Sequence, residues 1–242
     1  MSGHSKWATT KRAKGATDAK RAILFTKLAK IITVAARGKG GDPTTNFSLR
    51  LAMDKAKAAN MPRENIDRAI KRGTGEIEGA AIEEMVYEGF GPGGVAVIVN
   101  CLTDNKNRAV SELKHIFSKA GGSLGGPGAV AWQFEHKGVI RLDNEQLVGK
   151  NWDELEMQLI DLGAQDIKKE EAGITIYCAI SDLQKVKKGL EDLGFSLEDA
   201  GMEYVAKEKI KVDQETEQKL TEFFEALDEN EDVDDYYTNL SE

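Results

Sequence analysis

The chain has 242 residues, with 33 Lys plus Arg against 41 Asp plus Glu and a formal net charge of −8. This length allows one to three domains, and 40% hydrophobic with 31% charged residues excludes a wholly disordered chain, a collagen or a fibre. No run approaches the roughly 18 apolar residues of a membrane helix, and Cys101 and Cys178, each in an apolar stretch, read as reduced buried thiols of a cytoplasmic protein.

The total conceals a segregation. Residues 1–75 hold 17 Lys or Arg and 5 Asp or Glu, a net of +12; residues 76–242 hold 16 and 36, a net of −20. The front end therefore attracts polyanions and the remainder repels them. The plainer reading of the same cations is a set of solvated helix faces.

Residues 1–17 have little helical periodicity and read as an arm carrying Lys6, Trp7, Lys11, Arg12 and Lys14. A helix is expected from Asp18, as N-cap, to Ala36 or Arg37. Leu24, Leu28, Ile31, Ile32 and Ala35 form its apolar arc. Lys20, Lys27, Lys30 and Arg37 share the neighbouring face, while Arg21 falls near the apolar side. After a glycine-rich loop at 38–43, a second helix is expected over 46–59. A third, capped by Asn60 and stopped by Gly73, buries Ile66, Ala69 and Ile70 and shows Arg63, Arg68, Lys71 and Arg72. Residues 73–79 read as a linker.

From Glu83 the period changes to alternation. Strands are expected at 85–87, 95–100 and 129–134, with a helix over 105–119. The order strand 139–142, helix 152–162, strands 166–169 and 174–180, helix 183–193, strand 204–206 is βαββαβ, which is ferredoxin-like. A helix at 214–227 and a strand at 233–237 can complete the block before it. The expected fold is therefore α+β and multidomain. A three-helix bundle (1–77) precedes two ferredoxin-like α/β domains, the last (137–208) inserted in a discontinuous middle one (78–136 plus 209–242). Cys101 and Cys178, each shortly followed by an aspartate, hint at a weak internal repeat.

Chemistry offers few footholds. His4, His115 and His136 are the only histidines, no Gly-x-Ser-x-Gly elbow follows a strand, and the cysteines lack close Cys or His companions for zinc. The glycines at 121–128 follow a helix and precede a strand, the reverse of a dinucleotide fingerprint, and Lys39 sits in no Gly-Lys-Ser/Thr loop. No catalytic residue, metal, cofactor or small-molecule substrate is expected. A membrane role is set aside because the first helix needs its apolar arc for the bundle.

What remains is the basic front end, whose Lys and Arg suit phosphate backbone. Trp7 suits stacking on a base or packing on the bundle. The expected nucleic-acid-binding residues are Lys6, Trp7, Lys11, Arg12, Lys14, Lys20, Arg21, Lys27, Lys30, Arg37, Arg63, Arg68, Lys71 and Arg72. Residues 225–235 hold seven acids, which read either as a solvated face or as a mimic of nucleic acid that covers the basic domain.

Several segments resemble the YebC/PmpR family from end to end: Met1-Ser2-Gly3-His4-Ser5-Lys6-Trp7-Ala8, Asp18-Ala19-Lys20-Arg21, Phe25-Thr26-Lys27-Leu28, Asn60-Met61-Pro62-Arg63-Glu64-Asn65-Ile66, Tyr87-Glu88-Gly89-Phe90-Gly91-Pro92-Gly93-Gly94-Val95 and Thr103-Asp104-Asn105-Lys106-Asn107-Arg108. Ala109 stands where a threonine is usual, and Ala22-Ile23-Leu24 replaces a more polar stretch. The signature starts at the first residues, so no cleaved transit peptide is expected. The resemblance implies a helical bundle followed by two α/β domains around a cleft, in a cytoplasmic, non-enzymatic regulator. It implies DNA-binding transcriptional control on one side. On the other, relatives activate translation or associate with the ribosome and relieve stalls at proline runs, which makes structured ribosomal RNA the alternative partner.

Overall fold

The structure, a computed structural model, describes residues 18–170, 173–197 and 199–241. Two compact units divide the chain: residues 1–135 with 206–242, and residues 136–205. Each is treated by itself.

The first unit opens with three helices, α1 (Asp18–Lys39), α2 (Phe47–Ala58) and α3 (Arg63–Thr74). Leu28, Ile32 and Ala36 of α1 are buried against Leu49, Ala52 and Ala56 of α2 and Ile66 and Ala69 of α3. The expected arc is thus rotated slightly, with Ala36 rather than Ala35 at the bottom. Asn46 caps α2, its Oδ1 accepting the Leu49 N–H at 3.1 Å while its Nδ2 donates to the carbonyls of Ala35 and Gly40. One buried side chain therefore starts one helix and satisfies the end of another.

Two punctuation residues behave differently from expectation. Asn60 is not a cap of α3: it adopts φ 58° and closes α2, with Asn60 N–H bonded to Lys57 O and Met61 N–H to Ala56 O. That is the Schellman arrangement, which tolerates Asn in the left-handed region. Gly73 does not stop α3, which runs on to Thr74 and ends at Gly75 with φ 83°. Gly73 is instead the point where α3 crosses α1, since a Cβ there would lie 2.4 Å from Thr33 O and 2.7 Å from the Ala36 Cβ.

The rest of this unit is one antiparallel sheet with two helices: β1 (Glu83–Phe90), β2 (Ala96–Thr103), α4 (Lys106–Lys119), β3 (Ser123–Leu124) and, after the insertion, α7 (Gln214–Glu229) and β8 (Val233–Thr238). The strand order is β3-β1-β2-β8. Its core joins Val97, Val99 and Cys101 of the sheet to Leu113 and Phe117 of α4 and Leu220, Phe223, Phe224 and Leu227 of α7. Phe117 meets Phe223 edge-on at 4.9 Å, and Phe224 stacks on Tyr236 at 5.1 Å.

The expected strand at 129–134 is absent. Glu88, buried on β1, accepts the N–H groups of Gly128, Val130 and Ala131 at 2.7–2.8 Å, which ties that segment into a turn. One strand, β4 (Phe134–Asp143), then replaces the two short strands expected at 129–134 and 139–142.

The second unit continues from β4 through α5 (Trp152–Leu162), β5 (Ala164–Glu170), β6 (Gly173–Cys178), α6 (Leu183–Asp192) and β7 (Asp199–Ala206). Its order β5-β6-β4-β7 with βαββαβ succession is the ferredoxin-like arrangement, inserted in the middle domain. The two sheets share a spatial plan in which β2 corresponds to β4 and β1 to β6. Cys101 on β2 and Cys178 on β6 therefore occupy non-equivalent strands, and the expected cysteine repeat does not hold.

Candidate nucleic-acid interface

The expected binding residues separate into three groups. Lys6, Trp7, Lys11, Arg12 and Lys14 lie outside the described residues. A second group lines α3: Arg63, Arg68, Lys71 and Arg72 are all exposed, opposite the buried Ile66, Ala69 and Gly73. Asp67 lies 3.8 Å from Arg63, and the Arg72 stem passes close to Gly79. The helix thus presents a cationic edge to solvent, held in place by its apolar face.

The third group, on α1, is engaged with the chain itself. Lys27 Nζ donates to Asp228 O at 2.7 Å, capping the carbonyl end of α7, and Lys30 Nζ donates to Glu231 O at 2.9 Å and Asp232 Oδ1 at 2.7 Å. Lys20 Nζ lies 3.8 Å from a Glu229 carboxylate oxygen. Three lysines on one face of α1 therefore meet the last turn of α7 and the loop that leads from it to β8. Arg37 is directed elsewhere, its Nη2 donating to Ile82 O, and Arg21 is exposed.

Asp232 is the centre of this contact and was not singled out from sequence. Arg108, from the first turn of α4, holds it from the other side, with Nη2 at 2.8 Å and Nε at 3.1 Å from Oδ2. Asn230 fixes the loop by accepting the Asp232 and Val233 N–H groups on Oδ1 while its Nδ2 donates to Glu112. Burial alone would raise the Asp232 carboxyl, yet the hydrogen bonds from Lys30 and Arg108 hold it below the ordinary aspartate value. The Arg108 guanidinium is correspondingly raised by Asp232 and Asp104. Burial lowers Lys27, outweighing the nearby Asp228, Asp234 and Asp235. The signals in the sequence were the acidic stretch at 225–235, within which Asp232 lies, and Arg108, which ends the motif at 103–108.

Neither thiol is poised for chemistry. Burial pushes Cys101 up to about 12 and Cys178 up to about 11, so both are protonated at neutral pH. No helix among the described residues is long and apolar enough to cross a membrane.

Two family models cover this chain almost completely. The TACO1/YebC N-terminal domain matches residues 5–76, and the TACO1/YebC second and third domain matches residues 82–240. The chain belongs to the TACO1/YebC family. Relatives in the family include a protein of Dehalococcoides mccartyi, 48% identical over 239 residues, and one of Thermotoga maritima, 49% identical over 240. Each alignment spans 99% of this chain and 94% of the relative, and both relatives are named probable transcriptional regulatory proteins. A crystal structure of a conserved hypothetical protein from Aquifex aeolicus superposes with a TM-score of 0.83 at 43% identity, over 93% of this chain and 91% of that one. The TACO1/YebC family is thus named for regulation rather than for an enzymatic activity. Its N-terminal domain coincides with the cationic part of this sequence.

Proposed function

We propose that this chain is a nucleic-acid-binding regulator of transcription whose N-terminal bundle grips the phosphate backbone of DNA. The observation that carries this reading is the exposed cationic edge of α3, Arg63, Arg68, Lys71 and Arg72, within a front end of net +12. Such cations release condensed counterions on binding, a strong term that ignores base sequence. Lys6, Lys11, Arg12 and Lys14 extend the same chemistry along the chain, and Trp7 among them suits stacking on a base. The names of the relatives support the regulatory role.

Phosphate contacts position a protein but do not tell DNA from RNA. Crosslinking the full chain in cells, followed by sequencing of both attached DNA and attached RNA, separates the two partners. Enrichment of promoter DNA is the expected outcome. Enrichment of ribosomal RNA alone would replace transcription by action on the ribosome, and enrichment of neither would end the nucleic-acid reading.

A further inference from the structure

Resting on that reading, we propose that the loop at 228–232 is an internal polyanion mimic, which occupies Lys20, Lys27 and Lys30 in a closed state and is displaced by nucleic-acid phosphate. The loop offers what a phosphate backbone offers: oxygens spaced to meet several ammonium groups in a row. Lys27 and Lys30 reach carbonyl oxygens and a carboxylate at 2.7–2.9 Å, and Lys20 lies opposite Glu229. Asp232, held between Lys30 and Arg108, takes the place an anion would take between two cations.

The way the bundle is attached suits release. Its core (Leu28, Ile32, Leu49, Ile66 and neighbours) and the sheet core (Val97, Phe117, Phe223 and neighbours) are separate clusters. The contact through the lysines is polar, and the two clusters share no residue among those described. Polar contacts between domains of this kind favour relative motion, and exchange of one oxygen array for another leaves Lys27 and Lys30 with oxygen partners in both states. Lys27 is held at a cost in the closed state, since its burial outweighs the acids around it. On release, the three lysines become available to phosphate, as the exposed cations of α3 already are.

Hydrogen exchange on the full-length protein, alone and with a duplex DNA or a folded RNA, tests the exchange of partners. Binding should slow amides of α3 and speed those of residues 228–232, including the Asp232 N–H held by Asn230. Binding without any change at 228–232 overturns the proposal and leaves the nucleic-acid reading standing. Absence of binding to either polyanion overturns both. A second arm uses affinity at low salt: the pair Glu229→Gln and Asp232→Asn should bind several-fold tighter than the parent. Neutralising Glu215 and Glu217 at the other end of α7 should have a smaller effect, and an equal effect from both pairs means bulk charge alone, which overturns the mimic. If the first pair unfolds, as circular dichroism would report, the exchange experiment still decides.

Discussion

Lys30 and Asp232 stand 202 positions apart in the chain and meet at 2.7 Å, with only 16% and 3% of their side chains exposed. Their contact joins the basic bundle to the acidic end of the protein, so the charge segregation visible in the sequence is partly neutralised inside the fold. A carboxylate this buried depends on both of its cations, because its desolvation is offset only while each stays in place. Arg108→Ala, which leaves Lys30 in place and removes a side chain 44% exposed, should therefore destabilise the protein by about 1–3 kcal/mol, read as a lower urea midpoint. A loss under about 1 kcal/mol, the scale of an exposed pair, would mean that Arg108 acts as a surface residue.

The same carboxylate predicts a pH dependence, together with Glu88. Both carboxyls sit below their ordinary values: burial alone would raise each, but Lys30 and Arg108 reverse this at Asp232, and three backbone N–H groups reverse it at Glu88. The unfolded chain consequently takes up these protons first, at about pH 4. Their stabilisation is complete above that point and is lost as pH falls through the lower folded-state values. Combining Asp232→Asn with Glu88→Gln should lower stability at about pH 7 and flatten its decline below about pH 4. An equally steep decline in the double variant would exclude both groups as its source.

Glycine 73 and glycine 38 predict opposite signs. Ala is the better helix former by about 1 kcal/mol, and Gly38, which has nothing within 4 Å of an added Cβ and lies near the end of α1, should gain stability as Ala. At Gly73 the added methyl meets Thr33 O at 2.4 Å and the Ala36 Cβ at 2.7 Å, so α1 and α3 must separate. Overpacking of this kind costs about 1–3 kcal/mol. Thermal unfolding of the two variants gives the comparison, and a stabilised Gly73→Ala would remove the close crossing from the account of the bundle.

These residues also mark how far the sequence could be read. Helix periodicity located the bundle core, because burial of Leu28, Ile32, Ile66 and Ala69 imposes a repeat that a local window can detect. The βαββαβ order was legible for the same reason. Punctuation was less so: Asn suits both an N-cap and a left-handed closing position, and Gly suits both a stop and a close crossing, so Asn60 and Gly73 needed the third dimension. Glu88 hid a turn inside an apparent strand, since nothing near 128–131 announces a carboxylate 40 positions earlier. At the candidate site, the sequence identified which face of α1 carries Lys20, Lys27 and Lys30. The acidic stretch at 225–235 was legible as a cover for the basic domain in one of its two readings, but not which lysine meets which oxygen, because that pairing spans 201 residues.

Phe223 carries a different prediction, about the discontinuous domain. It is buried between Phe117 of α4 and Phe224, so α7, which follows the insertion, completes a core begun before it. Phe223→Ala should cost about 3–5 kcal/mol and accelerate exchange in β2 and β8 as well as in α7. Loss of protection confined to α7 would mean that the sheet is stable without its helix.

The last prediction concerns Arg68, Lys71 and Arg72 on the exposed edge of α3. Their stems are not part of the bundle core, so changing all three to Gln should leave the thermal unfolding of the full chain nearly unchanged. If they touch phosphates, affinity should fall for every duplex sequence tested, because such contacts read no bases. Each lost contact removes about 0.9 from the slope of log affinity against log salt on duplex DNA, or about 0.7 on a single strand. The triple variant should therefore flatten that plot by about 2–3 units between about 50 and about 200 mM salt. A folded variant that keeps the parental slope would make α3 a solvated face and move the phosphate contacts to other cations of the front end.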